Sequence, residues 1–320
     1  MGTEAQMNFL LVGGIGYLGG RLAAYLSSRG HRVTVSTRRN MGEVPGWAVA
    51  HEIVHLELSN PADILKHLSD KDVVVYLSAP DAEAAERSPL DALRAGGEFV
   101  WNTMEALCGS IARPALLYVS TFHVYGCNAK GEIREDTVPM PVHPYALGKH
   151  LGEEVLRLFK HQKKINALCV RLSNSFGAAM GADVPCTSLV FNDLCRQAVT
   201  IRELHLRSSG TAKRNFITME DAVRAVEYLS LFQEGWPADG VIHLGSELHF
   251  SALEVAEMIA DRTLNLFGFK PRIVVPEQSM QSSQNSFRFS VDRLAKMGFT
   301  WLNRVNHEID ETLRLYAGNC

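Results

Sequence analysis

The sequence lacks an excess of charge of either sign. Its 320 residues include 32 basic and 35 acidic side chains, for a formal net charge of −3. Binding to nucleic acid or to an anionic membrane surface depends on a field of basic side chains, which this balance does not supply. We therefore expect neither nucleic acid nor a membrane as a partner.

Long apolar runs are missing as well. No run approaches the roughly 20 residues that a membrane-spanning helix needs, and Met1–Gln6 lack the charged-then-apolar pattern of a signal peptide. The six cysteines are scattered, without a close pair at the spacing of metal ligands. We expect a cytoplasmic protein with no bound metal and with cysteines that are reduced and structural.

The first two-thirds of the chain alternates short apolar runs with longer amphipathic stretches. This alternation is typical of βαβ units, and the right-handed crossover rule makes a doubly wound parallel sheet the simplest topology. The fold class is therefore predicted as α/β, with a Rossmann-type doubly wound parallel sheet. The predicted strands are 9–12, 32–36, 73–77, 116–120 and 167–172, and the predicted helices are 18–28, 62–68, 90–107 and 145–161.

After Ser173 the alternation loosens, with shorter strands, more polar loops and one further clear helix at 252–262. We predict a first domain over 1–173 and a smaller C-terminal lobe over 174–320. Within that lobe, a stretch of about 212–245 is expected to return to the core of the first domain.

Three glycines mark the turn between the first strand and the first helix. Gly13, Gly16 and Gly19 are spaced as in a turn whose backbone can approach a pyrophosphate, because glycine has no Cβ and adopts tight backbone angles. The N-terminus of the helix offers N–H groups and a partial positive charge to the phosphates. The position at the first strand of a βαβ unit favours a dinucleotide site over a purely structural turn.

The end of the second strand indicates which dinucleotide would bind. A site that prefers NAD normally places an acid there, against the ribose hydroxyls. This chain has Thr37 followed by Arg38, whose guanidinium suits the 2′-phosphate of NADP(H). NADP(H) is therefore favoured and NAD(H) stays possible, since solvated loop arginines would give the same pattern.

A possible reaction centre follows a buried strand that ends in Ser120 and Thr121, where α/β sheets place their ligands. Some twenty residues further on, Tyr145 and Lys149 lie four residues apart on one helical face. A phenol titrates near pH ~10 and is a poor base unless a cation stabilises its phenolate. An ammonium at ~4 Å contributes on the order of 4 kcal/mol, which would shift that pKa by a few units.

In this order, the features resemble the extended short-chain dehydrogenase/reductase family, in its NAD(P)-dependent sugar-nucleotide epimerase, dehydratase and reductase group. The resemblance covers nearly the whole chain and is specific for the family, but not for a substrate. Further matching segments are 57–61, 77–80, 171–177, 214–221 and 244–246.

The resemblance implies a role for each site residue. Tyr145 would be the general acid/base, Lys149 would lower its pKa and bond the nicotinamide ribose, and Thr121 would share the hydrogen bond to the reacting oxygen. The implied cofactor-binding residues are Gly13, Gly16, Tyr17, Leu18, Gly19, Thr37, Arg38, Leu58, Leu77, Ser78, Ala79, Tyr145 and Lys149. The implied contacts to a nucleotide-sugar substrate are Ser120, His123, Asn174 and Arg214. The first domain would bind NAD(P) and the second lobe the substrate, and the helices over 90–107 and 145–161 would pair in a homodimer.

The chain departs from the family pattern at two places that bear on the reaction. Gly96 stands near a position where the family usually carries an Asn, which puts a proton relay through that side chain in doubt. Phe122 and His123 follow Thr121, where the family's dehydratases have two acids. Dehydration is disfavoured because elimination would lack its proton donor. His123 could be a second acid/base, although a packed loop residue is the simpler interpretation.

Three functions therefore remain from the sequence. We expect an NADPH-dependent ketoreductase of a 4-keto nucleotide sugar, because net reduction needs an exchangeable NADPH and Arg38 favours that cofactor. A nucleotide-sugar epimerase, which recycles one tightly held cofactor, is the alternative. A regulatory protein that binds the cofactor without turnover is the third, and the intact set of Thr121, Tyr145 and Lys149 argues against it.

Overall fold

The computed structural model describes residues 6–126, 131–163, 165–276 and 287–318. Met1–Ala5, Cys127 and Cys320 lie outside these ranges. The strands are β1 (Asn8–Val12), β2 (Arg32–Thr37), β3 (Glu52–His55), β4 (Val73–Tyr76), β5 (Ala115–Thr121), β6 (Gly131–Ile133), β7 (Ala167–Leu172), β8 (Asn174–Phe176), β9 (Glu203–His205), β10 (Lys213–Thr218), β11 (Val241–Leu244), β12 (Leu248–Ser251), β13 (Arg272–Val274) and β14 (Phe287–Phe289). The α-helices are α1 (Tyr17–Ser28), α2 (Pro61–Lys66), α3 (Ala82–Arg87), α4 (Pro89–Gly96), α5 (Glu98–Gly109), α6 (Pro144–Lys163), α7 (Val190–Thr200), α8 (Met219–Leu231), α9 (Ala252–Phe267), α10 (Asp292–Lys296) and α11 (Val305–Ala317).

Within the described ranges, a seven-stranded sheet has the order β11-β7-β5-β4-β1-β2-β3. The pairings from β3 to β7 are all parallel, and Leu10 of β1 lies between Thr34 of β2 and Val74 of β4. The central strands β1, β4 and β5 are buried almost throughout, as expected when helices cover both faces of a parallel sheet. The predicted α/β, Rossmann-type fold is confirmed.

The helix predicted over 90–107 is wrong in one respect, because the structure divides it into α4 and α5. The division lies at Gly97, whose φ of −89° and ψ of −80° are not helical. The Gly97 N–H still donates to the carbonyl of Leu93, at 2.7 Å, and so closes the end of α4. Apolar periodicity continues across such a break, so the sequence pattern does not reveal it.

The chain forms two compact units. The first comprises Met1–Cys127, Asp136–Leu172 and Val226–Ile242, and the second comprises Asn128–Glu135, Ser173–Ala225 and His243–Cys320. The sequence placed a boundary after residue 173 and a returning stretch at about 212–245. The returning stretch of the structure is the narrower Val226–Ile242. The assignment of cofactor and substrate to these units stays a prediction.

The second unit has its own apolar core. The rings of Phe176 and Phe191 stack with centroids 3.9 Å apart, and Phe216 meets Phe191 edge-on at 5.1 Å. The described part of this unit also contains three small sheets, in the orders β12-β10-β8, β13-β9 and β14-β6. Helix α9 begins with a capping box, in which Ser251 and Glu254 each bind the other's backbone N–H.

Candidate active site

The glycine turn connects β1 to α1, as the sequence predicts. The structural reason for a glycine differs from one position of the turn to the next. Gly13 has a φ of +76°, and a Cβ there would lie 2.8 Å from the Cα of Ser78. A Cβ on Gly19 would lie 2.4 Å from the carbonyl oxygen of Gly14. Both glycines are therefore required by the packing of the protein itself.

Gly16 differs from Gly13 and Gly19, because a Cβ at this position would not clash with the rest of the protein. Apart from its chain neighbours, none of the described atoms lies within 4 Å of the position that a Cβ would take there. Gly16 is also the N-cap of α1 and has no side chain to offer the first-turn N–H groups. An exposed, uncapped helix N-terminus with room at the cap fits a dinucleotide pyrophosphate. Tyr17 and Leu18 are half-buried in the first turn of the same helix.

The end of β2 presents one buried and one exposed side chain. The Thr37 hydroxyl is buried and accepts a hydrogen bond from the Arg39 N–H at 3.0 Å. Arg38 is exposed. The pKa of the nearby Glu57 carboxyl is lowered, chiefly by the N–H of Ser59 and in small part by the charge of Arg38. Arg38 therefore lies close to an acid but keeps an accessible guanidinium.

The loop after β3 is fixed by a residue that the sequence interpretation missed. Asn102 of α5 donates from Nδ2 to the carbonyl of Leu58 at 3.0 Å. This hydrogen bond ties the backbone of Leu58 to α5, and the Leu58 side chain is buried. No motif pointed to Asn102, since an Asn within a helix is usually a surface residue. Leu77, by contrast, simply continues β4, its N–H donating to the carbonyl of Val12 at 2.9 Å.

The structure brings Thr121, Tyr145 and Lys149 together at the carboxyl end of β5 and the start of α6. The Thr121 hydroxyl oxygen accepts from the His123 N–H at 3.3 Å and is hydrogen-bonded to the Tyr145 phenol. The Lys149 ammonium donates to the carbonyl of Val119 at 2.7 Å and lies 5.3 Å from the centroid of the Tyr118 ring. A small cavity adjoins Tyr145 and Lys149.

Burial shifts the pKa values of Tyr145 and Lys149 in opposite directions. Burial raises the pKa of Tyr145 above its usual 10, and the hydrogen bond with Thr121 opposes this rise. Burial also lowers the pKa of Lys149 to about 8. The lowering of the phenol pKa by Lys149 stays a prediction; in this structure the ammonium donates to the Val119 carbonyl.

The imidazole rings of His143 and His123 both lie near the ring of Tyr145. The ring of His143 is parallel to that of Tyr145, with an interplanar angle of 7° and centroids 5.9 Å apart. His123 is exposed and meets Tyr145 edge-on at 6.4 Å. The sequence interpretation had named His123 and missed His143, whose Nδ1 accepts the Ala146 N–H at 3.4 Å and so helps to cap α6. The nitrogen that accepts this bond cannot carry a proton at the same time.

Ser120 belongs to a buried hydrogen-bond network, and its assignment as a substrate contact stays a prediction. Its side chain is buried and its hydroxyl donates to Oε1 of Glu153 at 2.5 Å. Glu153 also accepts two bonds from Arg171, at 3.0 and 2.8 Å, and Arg171 donates to the Tyr125 hydroxyl. This buried network joins β5, β7 and α6 directly behind the reactive residues. Its signal in the sequence is that Glu153 follows Lys149 by four residues, on the same helical side.

The two remaining predicted substrate contacts belong to the second unit. Asn174 lies on β8 and donates from Nδ2 to the carbonyl of Asn215 at 2.8 Å, which ties β8 to β10. Arg214 lies on β10, opposite Phe250 of β12, with its side chain exposed. Their assignment to a substrate stays a prediction.

Among the described residues, neither a candidate metal centre nor a membrane-spanning helix is found. In the four described ranges, no three or more His, Cys, Asp or Glu side chains lie together so that they could hold a metal ion. The helices in those same ranges are too short or too polar to cross a bilayer. Burial raises the pKa of the Cys169 and Cys195 thiols, as expected of cysteines that pack in a core.

The fold and the site together define an enzyme of the extended short-chain dehydrogenase/reductase type. A model of the NAD dependent epimerase/dehydratase family matches residues 9–245, and the chain belongs to that family.

One curated relative is assigned to the UDP-arabinose 4-epimerases of Arabidopsis thaliana and is 27% identical over 192 residues. The match covers 56% of this chain and 43% of the relative, so this chain spans less than half of its length.

Two solved structures share the fold. RMD from Pseudomonas aeruginosa, complexed with NADPH, has a TM-score of 0.79 at 21% identity, covering 98% of this chain and 100% of that one. UDP-glucose 4-epimerase from Thermotoga maritima, with UDP-glucose, has a TM-score of 0.80 at 18% identity, covering 98% and 99%.

Proposed function

We propose that the chain is an NADPH-dependent ketoreductase that acts on a nucleotide-activated 4-keto sugar. The observation that carries the proposal is the placement of Tyr145 and Lys149 beside one small cavity, with the phenol buried. Reduction of a ketone needs a proton donor beside the developing alkoxide, and a phenol whose pKa is raised by burial is a donor and not a base. The exposed Arg38 in place of an acid at the end of β2 supports NADPH as the cofactor.

Each residue of the site has a task in this reaction. The turn of Gly13, Gly16 and Gly19 would hold the nucleotide, which would supply the hydride for reduction of the ketone. Tyr145 donates its phenolic proton to the carbonyl oxygen, and Thr121 orients the phenol by hydrogen bonding. Lys149 would stabilise the resulting phenolate by its positive charge, the role that the family resemblance implies.

Epimerisation of a nucleotide sugar is the second candidate, because both the UDP-arabinose relative and the UDP-glucose 4-epimerase carry that activity in their names. It would use the same residues, with Tyr145 acting first as a base and then as an acid. The cofactor would be reduced and reoxidised within one turnover, without net consumption.

One experiment separates the two reactions. The protein is incubated with NADPH and a panel of nucleotide sugars and their 4-keto forms, while absorbance at 340 nm and product NMR spectra are recorded. We expect stoichiometric loss of NADPH with a 4-keto substrate and no release of water from an intact nucleotide hexose. Tyr145→Phe serves as the control and should abolish turnover while binding NADPH almost normally. An epimerised product with an unchanged NADPH signal would overturn the reductase and support the epimerase.

A further inference from the structure

Two helices of the first unit touch backbone against backbone beside the proposed reaction centre. Gly96 is the last residue of α4, and Gly148 lies in α6 between Tyr145 and Lys149. A Cβ on Gly96 would lie 1.7 Å from the carbonyl oxygen of Gly148, and a Cβ on Gly148 would lie 2.3 Å from that of Ala92. Real Cβ atoms essentially never approach another atom within 3.0 Å. No side chain can therefore stand at either position while the helices keep this separation.

A third glycine continues this contact one turn along α6. A Cβ on Gly152 would lie 2.2 Å from the hydroxyl oxygen of Tyr118, and the same hydroxyl donates to the carbonyl of Lys149 at 3.1 Å. On the other helix, the Tyr76 hydroxyl donates to the carbonyl of Ala95 at 3.3 Å. Buried tyrosines of β4 and β5 thus hold both helices at the point where they meet.

The contact borders the reactive side chains directly. The small cavity beside Tyr145 and Lys149 is also lined by Gly96, Gly148 and Ala92. Because the interior of a protein is close-packed, α6 has little freedom to absorb a new side chain here without moving. Moving α6 moves Tyr145 and Lys149 together, since both lie within one turn of Gly148.

We propose that Gly96 and Gly148 are positioning residues, which set how deeply Tyr145 and Lys149 are buried by allowing α4 and α6 to meet without intervening side chains. The proposal rests on the reactive roles given to Tyr145 and Lys149 in the proposed function. It also explains the departure of Gly96 from the family pattern. The backbone of α6 occupies the space that an Asn side chain would need, so any proton path through that position does not use a side chain of α4.

The test uses the titration of Lys149, which requires neither cofactor nor substrate. Burial lowers the pKa of this ammonium to about 8, so it titrates in a range where the protein can be measured. We would follow ¹³Cε of labelled lysines by NMR, assign Lys149 with a Lys149→Arg variant, and compare the wild type with Gly96→Ala and Gly148→Ala. We expect the pKa of Lys149 to rise by at least one unit in both variants, because displacement of α6 admits water to the ammonium. We also expect at least a tenfold loss of kcat per folded molecule.

Gly109→Ala is the matched control, since it places the same methyl group in a neighbouring helix of the first unit. Its Cβ would meet only the side-chain carbons of Leu65, at 4.0 Å, which is ordinary contact. This variant should leave both the titration of Lys149 and kcat unchanged.

A lower melting temperature with an unchanged Lys149 titration and kcat in Gly96→Ala and Gly148→Ala would mean that the glycines serve packing alone, and the proposal would be wrong. If neither variant folds, Gly97→Ala replaces them, because its Cβ would meet the flexible end of Leu151 at 2.9 Å and the Leu93 carbonyl oxygen at 3.0 Å. Gly97→Ala should raise the pKa of Lys149 by a smaller amount. If it leaves that pKa unchanged, the proposal is overturned. A wild type that turns over no nucleotide sugar but shows these shifts would contradict the proposed function and leave the positioning inference standing.

Discussion

Burial of the Lys149 ammonium lowers the free energy of unfolding at neutral pH. At the level of a single residue, this loss of stability is the clearest sign of function. Its pKa falls from 10.5 to about 8 on burial, which opposes the charged form by roughly 3 kcal/mol. The folded chain therefore binds this proton less tightly than the unfolded chain, and stability attributable to Lys149 increases as the pH rises from about 8 to 10.5. A neutral side chain would pack here at lower cost. A strongly perturbed lysine beside a buried phenol is typical of a reactive site.

Arg38 gives the first prediction at this scale. In Arg38→Asp, repulsion replaces the attraction for a 2′-phosphate, so we expect the Kd for NADPH to rise on the order of 10- to 100-fold, the value of a hydrogen bond to a charged group. The Kd for NADH should change little. Fluorescence titration with each nucleotide measures both constants. Arg39→Asp makes the same charge change one residue further on and is expected to have a smaller effect. Equal losses for NADPH and NADH would show that Arg38 is only a solvated loop charge.

At the scale of elements, the buried pair of Glu153 and Arg171 joins α6 to the sheet. Glu153 accepts from Ser120 of β5 and from both Nε and a terminal nitrogen of Arg171 in β7. His150 lies 3.2 Å from the same carboxylate, one turn earlier in α6. Although burial alone would raise it, these partners hold the pKa of Glu153 at about 2, below its usual 4.5. The network thus fixes α6 against β5 and β7 just behind Tyr145 and Lys149.

Glu153→Gln tests this attachment. Removing one partner of a buried ion pair typically costs about 3–5 kcal/mol. We expect the free energy of unfolding of Glu153→Gln at pH 7 to fall by about this amount. Because the folded pKa of Glu153 is depressed, its contribution is complete above pH 4.5 and is lost as the pH falls through about 2. The difference between variant and wild type, from urea unfolding at several pH values, should therefore shrink over that window. Glu154→Gln removes the neighbouring exposed carboxylate, which pairs with Arg157, and should cost about 0.5 kcal/mol or less. A constant difference from pH 7 to pH 3 would contradict this account.

Over the whole molecule, the sequence predicts the first unit far better than the second. The strand Ala167–Leu172 and the helix Tyr17–Ser28 are found within a residue of the predicted bounds, because long apolar periodicities and the order of βαβ units are local properties of the chain. The edge strand β3 and the three-residue strands of the second unit were not predicted, since runs so short carry no periodicity. Contacts between distant residues also have no local signature. The Glu153–Arg171 pair and the Gly96–Gly148 contact became visible only in the structure.

The arrangement of α5 and α6 leads to the last prediction, which concerns assembly. Leu147, Leu151 and Leu158 of α6 are each at least 38% exposed, and their spacing of four and seven residues places them on one side of the helix. Trp101 of α5 is 41% exposed and packs edge-on against Phe159 of α6, so its ring extends the same apolar surface. Exposed apolar side chains grouped on two helices are typical of a protein interface. We therefore expect a homodimer in which α5 and α6 of each copy form a four-helix contact.

Leu151→Glu would place a charge in the centre of that surface and should convert the protein to a monomer at micromolar concentration, as measured by light scattering. Leu264→Glu in α9 is the matched control, because its leucine is 44% exposed and lies in the second unit. The control should stay dimeric, and circular dichroism should show that both variants are folded. The loss of assembly in Leu151→Glu alone would locate the interface on α6, since both substitutions add one negative charge to a comparably exposed helix position. A wild type that is already monomeric at this concentration would refute the dimer, and a dimeric Leu151→Glu would place its interface elsewhere.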